Sequence, residues 1–232
     1  TGGAAPETMA TARVAAPGRM LSLGRLVGLT DYEAEALALP GVVKAGADFA
    51  EGTDHPAISL TVLTEDESAE AVAAVESSLL TADRCRGPSR HPMHVRAGRR
   101  RFVHLSLLLG YDPAYRSADL DAAVAEGLGA VPDLPGEPMP EGGLFSLDLR
   151  AFGQDVHISQ AIAAAQSVVG VKWVKPVAFG KLSAVSDDPA DLVIPQNPGL
   201  ATRLGVKPFE ILALSMRHLT LSAATSDEEC PE

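Results

Sequence analysis

The sequence is poor in aromatic residues and contains no long apolar run, and both shortages limit what the protein can be. Aromatic residues make up 4% of the chain, so its core is expected to consist mainly of Val, Leu, Ile and Ala. No run approaches the roughly 20 apolar residues of a membrane-spanning helix. The first residues also lack the basic and apolar regions of a secretory signal. We therefore expect a soluble protein without membrane insertion.

Cysteine is scarce as well. The two cysteines, Cys85 and Cys230, are too few for a disulfide framework and too far apart in the sequence for a zinc-binding pattern. This usage is typical of proteins from a reducing cytoplasm.

Basic residues are outnumbered: 19 lysines and arginines stand against 30 aspartates and glutamates, which gives a formal net charge of −11. A protein that wraps nucleic acid needs clustered cations to neutralise phosphates. The balance favours protein partners, and nucleic acid is not expected as the main ligand.

Hydrophobic periodicity predicts a helix, two strands and a longer helix in the first part of the chain. Thr30 and Glu33 have the spacing of a capping box, which predicts a helix over residues 31–38. Strands are predicted over residues 42–49 and 57–63. The next helix has an apolar stripe formed by Ala69, Val72, Val75 and Leu79.

The later part of the chain predicts longer strands. A strand after Gly98 places four residues on one face: Val103, Leu105, Leu107 and Leu109. Ser117 is the predicted N-cap of a helix that ends at Gly129. A helix around Ile158 precedes a strand with four residues predicted on one face: Val171, Trp173, Val177 and Phe179. The apolar run 209–221 predicts a final strand.

These elements predict an α+β fold of successive small α/β modules, with mixed or antiparallel sheets flanked by helices. The segments 39–44 and 168–173 both turn from a helix into a strand at a glycine. A duplicated module and reuse of a common connection both explain this echo. The predicted division is an N-terminal helical connecting segment (1–40), a first module (41–97), a second module (98–180), and a Pro-rich irregular segment with a terminal strand and an acidic tail (181–232).

Candidate catalytic and metal-binding groups are few. His91 and His94 are three residues apart in an extended segment, so their side chains are expected on opposite faces and not around one metal. Asp31, Glu33 and Glu35 lie where helix capping accounts for carboxylates. We therefore expect no catalytic residues and no metal site.

Other reactive or ligand-binding motifs are incomplete. Gly24 and Gly28 lack the lysine and Ser/Thr of a phosphate-binding loop, so no cofactor is expected. Cys85 lies between two arginines, which can lower the pKa of a thiol. Since no histidine accompanies it, Cys85 is interpreted as an ordinary loop cysteine.

One short segment is strongly basic within an acidic chain. It contains seven arginines: Arg84, Arg86, Arg90, Arg96, Arg99, Arg100 and Arg101. Arginines in such a cluster can bind phosphate or the acidic surface of another subunit. Only Phe102 is close enough in sequence to add base stacking, which disfavours nucleic acid. A protein interface and a merely solvated patch remain the two main interpretations.

Several short motifs, taken in order, resemble the baseplate J-like family of contractile phage tails and phage-tail-like contractile injection systems. The first group consists of Gly2-Gly3-Ala4-Ala5-Pro6-Glu7-Thr8, Leu23-Gly24-Arg25-Leu26-Val27, Thr30-Asp31-Tyr32-Glu33 and Pro40-Gly41-Val42. The second group resembles the longer baseplate assembly branch and consists of Arg84-Cys85-Arg86-Gly87-Pro88, Gly98-Arg99-Arg100-Arg101, Gly110-Tyr111-Asp112-Pro113, and Gly143-Leu144-Phe145 with Arg150, Phe152 and Gly153. The resemblance covers most of residues 1–180.

The resemblance implies a structural protein and not an enzyme. Such subunits form wedges that close into a six-fold ring around a central spike hub and couple it to the sheath. The implied partners are other wedge proteins, further copies of the same chain, and hub and sheath-proximal proteins. Assembly is expected in the bacterial cytoplasm, within a particle that stays inside the cell or is released. Family members extend further at the N-terminus, so the chain resembles their C-terminal part.

A second hypothesis comes from a different class. The basic residues 84–101 could instead serve a small α/β nucleic-acid-binding protein or enzyme. Such a protein would bind DNA with a steep salt dependence, because each neutralised phosphate releases counterions.

Overall fold

A computed structural model describes residues 25–50, 57–65, 67–88, 91–132, 140, 142–182 and 191–224. The chain divides into two compact units, Thr1–Arg99 and Arg100–Glu232, called here the first and the second unit. Helices and mixed or antiparallel sheets occur in both, which confirms the α+β class. In the described part of the chain, no helix has the length and apolarity required to cross a membrane. The four-part division of the sequence stays a prediction.

The first unit contains a three-stranded sheet and two helices. Its elements are α1 (Leu29–Leu37), β1 (Val42–Ala50), β2 (Ala57–Thr64), α2 (Ala69–Arg86) and β3 (Met93–Ala97). The strand order is β1-β2-β3, with β1 antiparallel and β3 parallel to β2. Two parallel neighbours require a long crossover, and α2 provides it.

Alternation along β2 positions the core of the first unit. Ile58, Leu60 and Val62 share one face and are at most 4% exposed. Val75 and Leu79 of α2 pack in the same cluster, as does Tyr32 of α1. The sequence stripe is therefore confirmed at its centre, while Ala69 at the start of α2 is exposed.

The start of α1 differs from the sequence prediction. Gly28, and not Thr30, is the N-cap, because its backbone is extended and the helix begins at Leu29. The Asp31 carboxylate accepts hydrogen bonds from the backbone N–H groups of Gly28 (2.8 Å) and Val27 (2.9 Å). The predicted Thr30 capping box is thus wrong: Gly28 and Asp31, a residue pair with the same spacing that lies two positions closer to the N-terminus, begin the helix.

Glu33 has a different role at the sheet edge. Its Oε1 atom accepts a hydrogen bond from the Ala47 backbone N–H at 2.7 Å, and Asp48 accepts one from the N–H of Phe49 at 2.8 Å. β1 is an edge strand, so these carboxylates occupy amides that could otherwise pair with a further strand.

The second unit is built on a sheet of three long strands. Its elements are β4 (Arg99–Tyr111, whose first residue belongs to the first unit), α3 (Ser117–Leu128), β5 (Val156–His157), α4 (Ile158–Gln166), β6 (Val171–Lys181), β7 (Arg203–Leu204) and β8 (Glu210–Ala223). The strand order is β6-β4-β8, and β6 is antiparallel to β4. β5 and β7 form a separate antiparallel pair.

The predicted face of β4 forms the main core of this unit. Val103, Leu105, Leu107 and Leu109 are each at most 1% exposed. Leu120, Val124 and Leu128 of α3 are buried, and Gly129 ends that helix with a φ of 70°, which favours glycine. The predicted Ser117 cap is wrong, because α3 already includes Ser117 and Arg116 is the N-cap without a side-chain hydrogen bond.

One predicted face of β6 is interrupted. Ser106 pairs with Ala178 and Leu107 with Pro176, so Val177 is an extra residue on β6. Such a bulge changes which side chains face the core. Phe179 is fully buried, whereas Val177 is 55% exposed. The expectation that both residues share a buried face is therefore wrong.

The other face of the β4 sheet holds a smaller cluster. Phe102, Leu182, Leu192 and Ala213 pack together there. Two histidines are buried in the same unit, His104 on β4 (4% exposed) and His218 on β8 (3% exposed). Gly180 pairs with His104 across the strands, and a Cβ atom at Gly180 would lie 2.5 Å from the His104 ring. Glycine therefore leaves the space that the imidazole occupies.

Candidate interface residues

Two of the predicted interface arginines lie at the end of α2. Ser68 caps this helix by accepting a hydrogen bond from the Ala71 N–H at 3.1 Å, and Arg84 and Arg86 are exposed in its last turn. Positive charge is favourable at this end of a helix dipole. Arg86 also donates to Glu35 Oε1 at 2.5 Å, and this hydrogen bond raises the pKa of Arg86. Arg84 thus has the more available charge.

Arg96 and Arg99, three positions apart in the sequence, are both exposed. The Arg96 Nε atom donates to Thr61 Oγ1 at 2.8 Å, which anchors the arginine to β2 while its side chain stays exposed. Arg99 is the exposed first residue of β4. Arg90 lies outside the described residues.

The last two arginines of the run belong to the second unit. Arg100 is partly buried, and Arg101 donates from Nε to Glu210 Oε1 at 2.8 Å. Glu210 is only 4% exposed. Burial alone would raise the pKa of Glu210, but hydrogen bonds from the Lys207 N–H and from Arg101 outweigh it and lower the pKa. Arg101 therefore has a structural role that its position in the sequence run does not reveal.

A basic cleft of about 600 Å³ surrounds this ion pair in the second unit. Its charged residues are Arg101, Lys181, Arg203, Lys207, Asp155 and Glu210. The four cations against two carboxylates give this cleft a formal charge of +2, opposite in sign to the whole chain. These residues lie far apart in the sequence, so no sequence pattern predicted the cleft.

Asp155 organises one side of the basic cleft. It accepts hydrogen bonds from Arg203 Nε at 2.8 Å and from the Val206 backbone N–H at 3.1 Å. These two hydrogen bonds lower the pKa of Asp155, and the hydrogen bond from Arg203 has the larger effect. The arginine and the loop after β7 are thereby fixed to one carboxylate.

The two lysines of the basic cleft, Lys181 and Lys207, form no ion pair with a carboxylate among the described residues. The Lys181 Nζ atom donates to the backbone carbonyl of Gly205 at 2.8 Å. The Lys207 ammonium lies 5.7 Å from the centre of the Phe209 ring, a cation–π geometry. Both lysines therefore add positive charge to the cleft without forming an ion pair with a described carboxylate.

The other candidate groups do not converge on a reactive site. His91 is partly buried and precedes β3, whereas His94 is exposed within β3. Across the described ranges, no three His, Cys, Asp or Glu residues are arranged to hold a metal ion. Cys85 is exposed and reduced, but it lies on α2 and not in a loop, which corrects the sequence interpretation.

Two comparisons with known proteins bear on the fold. Residues 24–96 match the family model of the baseplate J-like central domain. This segment contains the elements of the first unit from α1 to β3, except Ala97, the last residue of β3. The structure resembles a chain of a solved assembly described as "Cryo-EM structure of the anti-feeding prophage (AFP) baseplate, 6-fold symmetrised". That similarity has a TM-score of 0.50 and 15% sequence identity, and it covers 93% of this chain and 43% of the other. No curated protein matches the sequence. The family match confirms the resemblance to the baseplate J-like family over residues 24–96.

Proposed function

We propose that the protein is a structural wedge subunit in the baseplate of a contractile injection system or phage tail. In this role it forms, with other wedge proteins and further copies of itself, a six-fold ring around the spike hub and couples the hub to the sheath. The observation that carries the proposal is the match of residues 24–96 to the baseplate J-like central domain. The fold shared with a chain of a solved baseplate over 93% of this chain supports it.

The use of polar groups in the structure fits a scaffold and not an enzyme. Two buried carboxylates have hydrogen-bond partners within the fold: Asp83 accepts from the Tyr32 hydroxyl at 2.7 Å, and Glu210 pairs with Arg101. A catalytic site would instead require such groups to converge on a position where a substrate can bind. Our proposal therefore includes no reaction and no cofactor.

Exposed arginines of the first unit provide the proposed contact with neighbouring subunits. Arg84, Arg96 and Arg99 are exposed, and arginine forms bidentate hydrogen bonds with carboxylates. A chain with a net charge of −11 offers many such carboxylates on further copies of itself. Arg101 is left out of this surface because it belongs to the second unit and lines the basic cleft there.

The proposal is tested by electron microscopy of particles purified from the native source through a tag on this chain. Sheathed tubes with the tag at one end are the expected result. Tagged monomers, or tagged nucleic-acid complexes without any sheathed particle, would contradict the baseplate role. The second of these outcomes would favour the nucleic-acid hypothesis for the basic residues 84–101.

The arginine surface has its own test. The triple variant Arg84→Gln, Arg96→Gln and Arg99→Gln should reduce the yield of assembled particles while circular dichroism of the isolated chain stays unchanged. A matched control removes three exposed cations of the second unit, through Arg116→Gln, Lys172→Gln and Lys175→Gln. Equal yields from both triple variants would show that these arginines are only solvated.

A further inference from the structure

The basic cleft of the second unit has the features of a binding site for a carboxylate-bearing peptide. Its volume of about 600 Å³ lies within the range of ligand pockets, roughly 300–1,000 Å³. Its lining combines the four cations with the apolar side chains of Leu182 and Val206. An inorganic anion would use the cations alone, whereas a peptide segment can contact both kinds of group.

The two arginines are held in place and still have donors to offer. Each guanidinium carries five N–H groups. Among the described residues, Arg101 contacts its carboxylate through Nε, and Arg203 uses Nε and one terminal nitrogen. Their side chains are 27% and 62% exposed, so the remaining donors can reach an incoming carboxylate. Fixing the guanidinium groups in advance lowers the entropy cost of binding.

The sequence contains a segment of matching chemistry. Residues 227–229 are Asp, Glu and Glu, and Cys230 and Pro231 follow them. Three carboxylates beside an apolar proline complement four cations beside Leu182 and Val206. This segment lies outside the described residues, so only its composition and the length of chain that connects it to β8 enter the argument.

The connecting length disfavours a contact of the whole segment with the cleft of its own chain. The Ala224 N–H donates to the Leu109 carbonyl, which places the end of β8 beside Leu109 on β4. Arg101 is eight residues from Leu109, or roughly 26 Å at about 3.3 Å per residue. Glu228 is four residues beyond Ala224, which gives at most about 14 Å of extended chain. The backbone of the segment therefore stays short of Arg101 in its own molecule, which favours the cleft of another molecule.

We infer that the basic cleft of one copy binds the acidic residues 227–229 of a second copy of this chain. The two surfaces are different, so the contact is head-to-tail, and such contacts close into rings when the rotation between copies permits it. The inference deepens the proposed function, since it supplies a contact between copies, and its role in a ring rests on that proposal.

Disulfide trapping tests the contact, because Cys230 directly follows the acidic residues. In a chain with Cys85→Ser, a cysteine is introduced by Gly205→Cys, at a position that lines the cleft and where an added Cβ has its closest contact at 3.5 Å. Gly199→Cys is the matched control, since Gly199 is exposed, has no atom within 4 Å of an added Cβ and does not line the cleft. A disulfide requires the two Cα atoms to approach within about 7 Å.

Mild oxidation should give roughly tenfold more intermolecular cross-links with Gly205→Cys than with Gly199→Cys. This ratio corresponds to the binding free energy that several exposed ion pairs together contribute. Mass spectrometry should identify the link between position 205 and Cys230. Neutralising the segment through Asp227→Asn, Glu228→Gln and Glu229→Gln, with Cys230 retained, should abolish that excess, as should 1 M salt because it screens exposed charges.

Several outcomes would overturn the inference. These are equal cross-linking of the two cysteine variants, no cross-linking at all, or an excess that survives neutralisation of the segment. Protection of the Gly205→Cys thiol by a single-stranded oligonucleotide, without any cross-link to Cys230, would mean a nucleic-acid site instead. The result is separable from the proposed function: cross-links in a protein that never enters sheathed particles would contradict only the baseplate role, and tagged particles without cross-links would contradict only this contact.

Discussion

Replacing Tyr32 by Phe removes one hydroxyl group from the interior of the first unit and leaves the aromatic ring. The Tyr32 hydroxyl donates to Asp83 Oδ1 at 2.7 Å, and the two residues are 2% and 7% exposed. Asp83 also packs directly over Gly87, where an added Cβ would lie 1.9 Å from its Oδ1 atom. The carboxylate therefore has little freedom to find water after the hydroxyl is lost.

The size of the effect follows from burial. Loss of a hydrogen bond to a buried charged group costs roughly 1.5–3 kcal/mol of folding free energy. The neighbouring ion pair of Arg86 with Glu35 links the same two helices, but the Arg86 side chain is 40% exposed. Exposed pairs contribute only about 0.2–1 kcal/mol. Tyr32→Phe should therefore destabilise the first unit more than Arg86→Gln does.

Hydrogen exchange of α1 and α2, followed by mass spectrometry, measures this unit separately from the other. A loss of about 1.5–3 kcal/mol corresponds to roughly 10- to 150-fold faster exchange of the slowest amides. Tyr115→Phe is the control, since Tyr115 is 48% exposed. If Tyr32→Phe exchanges no faster than Tyr115→Phe or Arg86→Gln, the buried hydrogen bond does not hold α1 against α2.

Three further predictions concern the second unit. Burial lowers the pKa of His104, so the unfolded chain binds the proton first, and the stability should fall as the pH drops below about 6.5. The urea midpoint of the His104→Gln variant should lose this pH dependence between pH 7.5 and 5.5. The urea midpoint of the control variant His94→Gln, changed at an exposed histidine, should keep it. Burial and, second to it, the hydrogen bond to Asp121 raise the pKa of Tyr111, so the stability should fall as the pH rises above about 10. If the Tyr111→Phe variant loses stability at high pH as strongly as the unchanged protein does, Tyr111 is not the cause. Gly180→Ala forces a methyl group against the His104 ring and should cost about 1–3 kcal/mol in thermal or urea unfolding. Gly199→Ala should hardly change the stability, because no atom lies within 4 Å of an added Cβ there. An equal loss of stability at both glycines would mean that only the conformational freedom of the backbone matters.

Regular patterns in the sequence predicted most of the regular structure. The strict alternation from Val103 to Leu109 gave both the strand and its buried face, because nothing interrupts the period of two. On β6 the period of two is broken, because the extra residue at Val177 changes the phase, and nothing in the composition marks this position. The start of α1 was predicted incorrectly because two overlapping residue pairs have the spacing of a helix cap.

The candidate sites were less predictable than the elements. The arginine run was interpreted as one patch, but its residues differ in burial and partners: Arg84 is exposed, whereas Arg101 pairs with Glu210, which is 109 positions away. The basic cleft depends on the same pairing and on residues at the end of β6, within β7 and after β7. Contacts at such separation require the order of strands in the sheet, which the pattern of one sequence does not contain.

The carboxylates at the β1 edge also affect how copies of this chain can associate. Since the backbone N–H groups of Ala47 and Phe49 already donate to Glu33 and Asp48, an extended segment from another molecule gains no hydrogen bond from these two donors and meets negative charge. Strand-by-strand growth of the kind that ends in amyloid is therefore disfavoured at this edge. If copies of the chain assemble as proposed, this edge keeps their encounters there reversible.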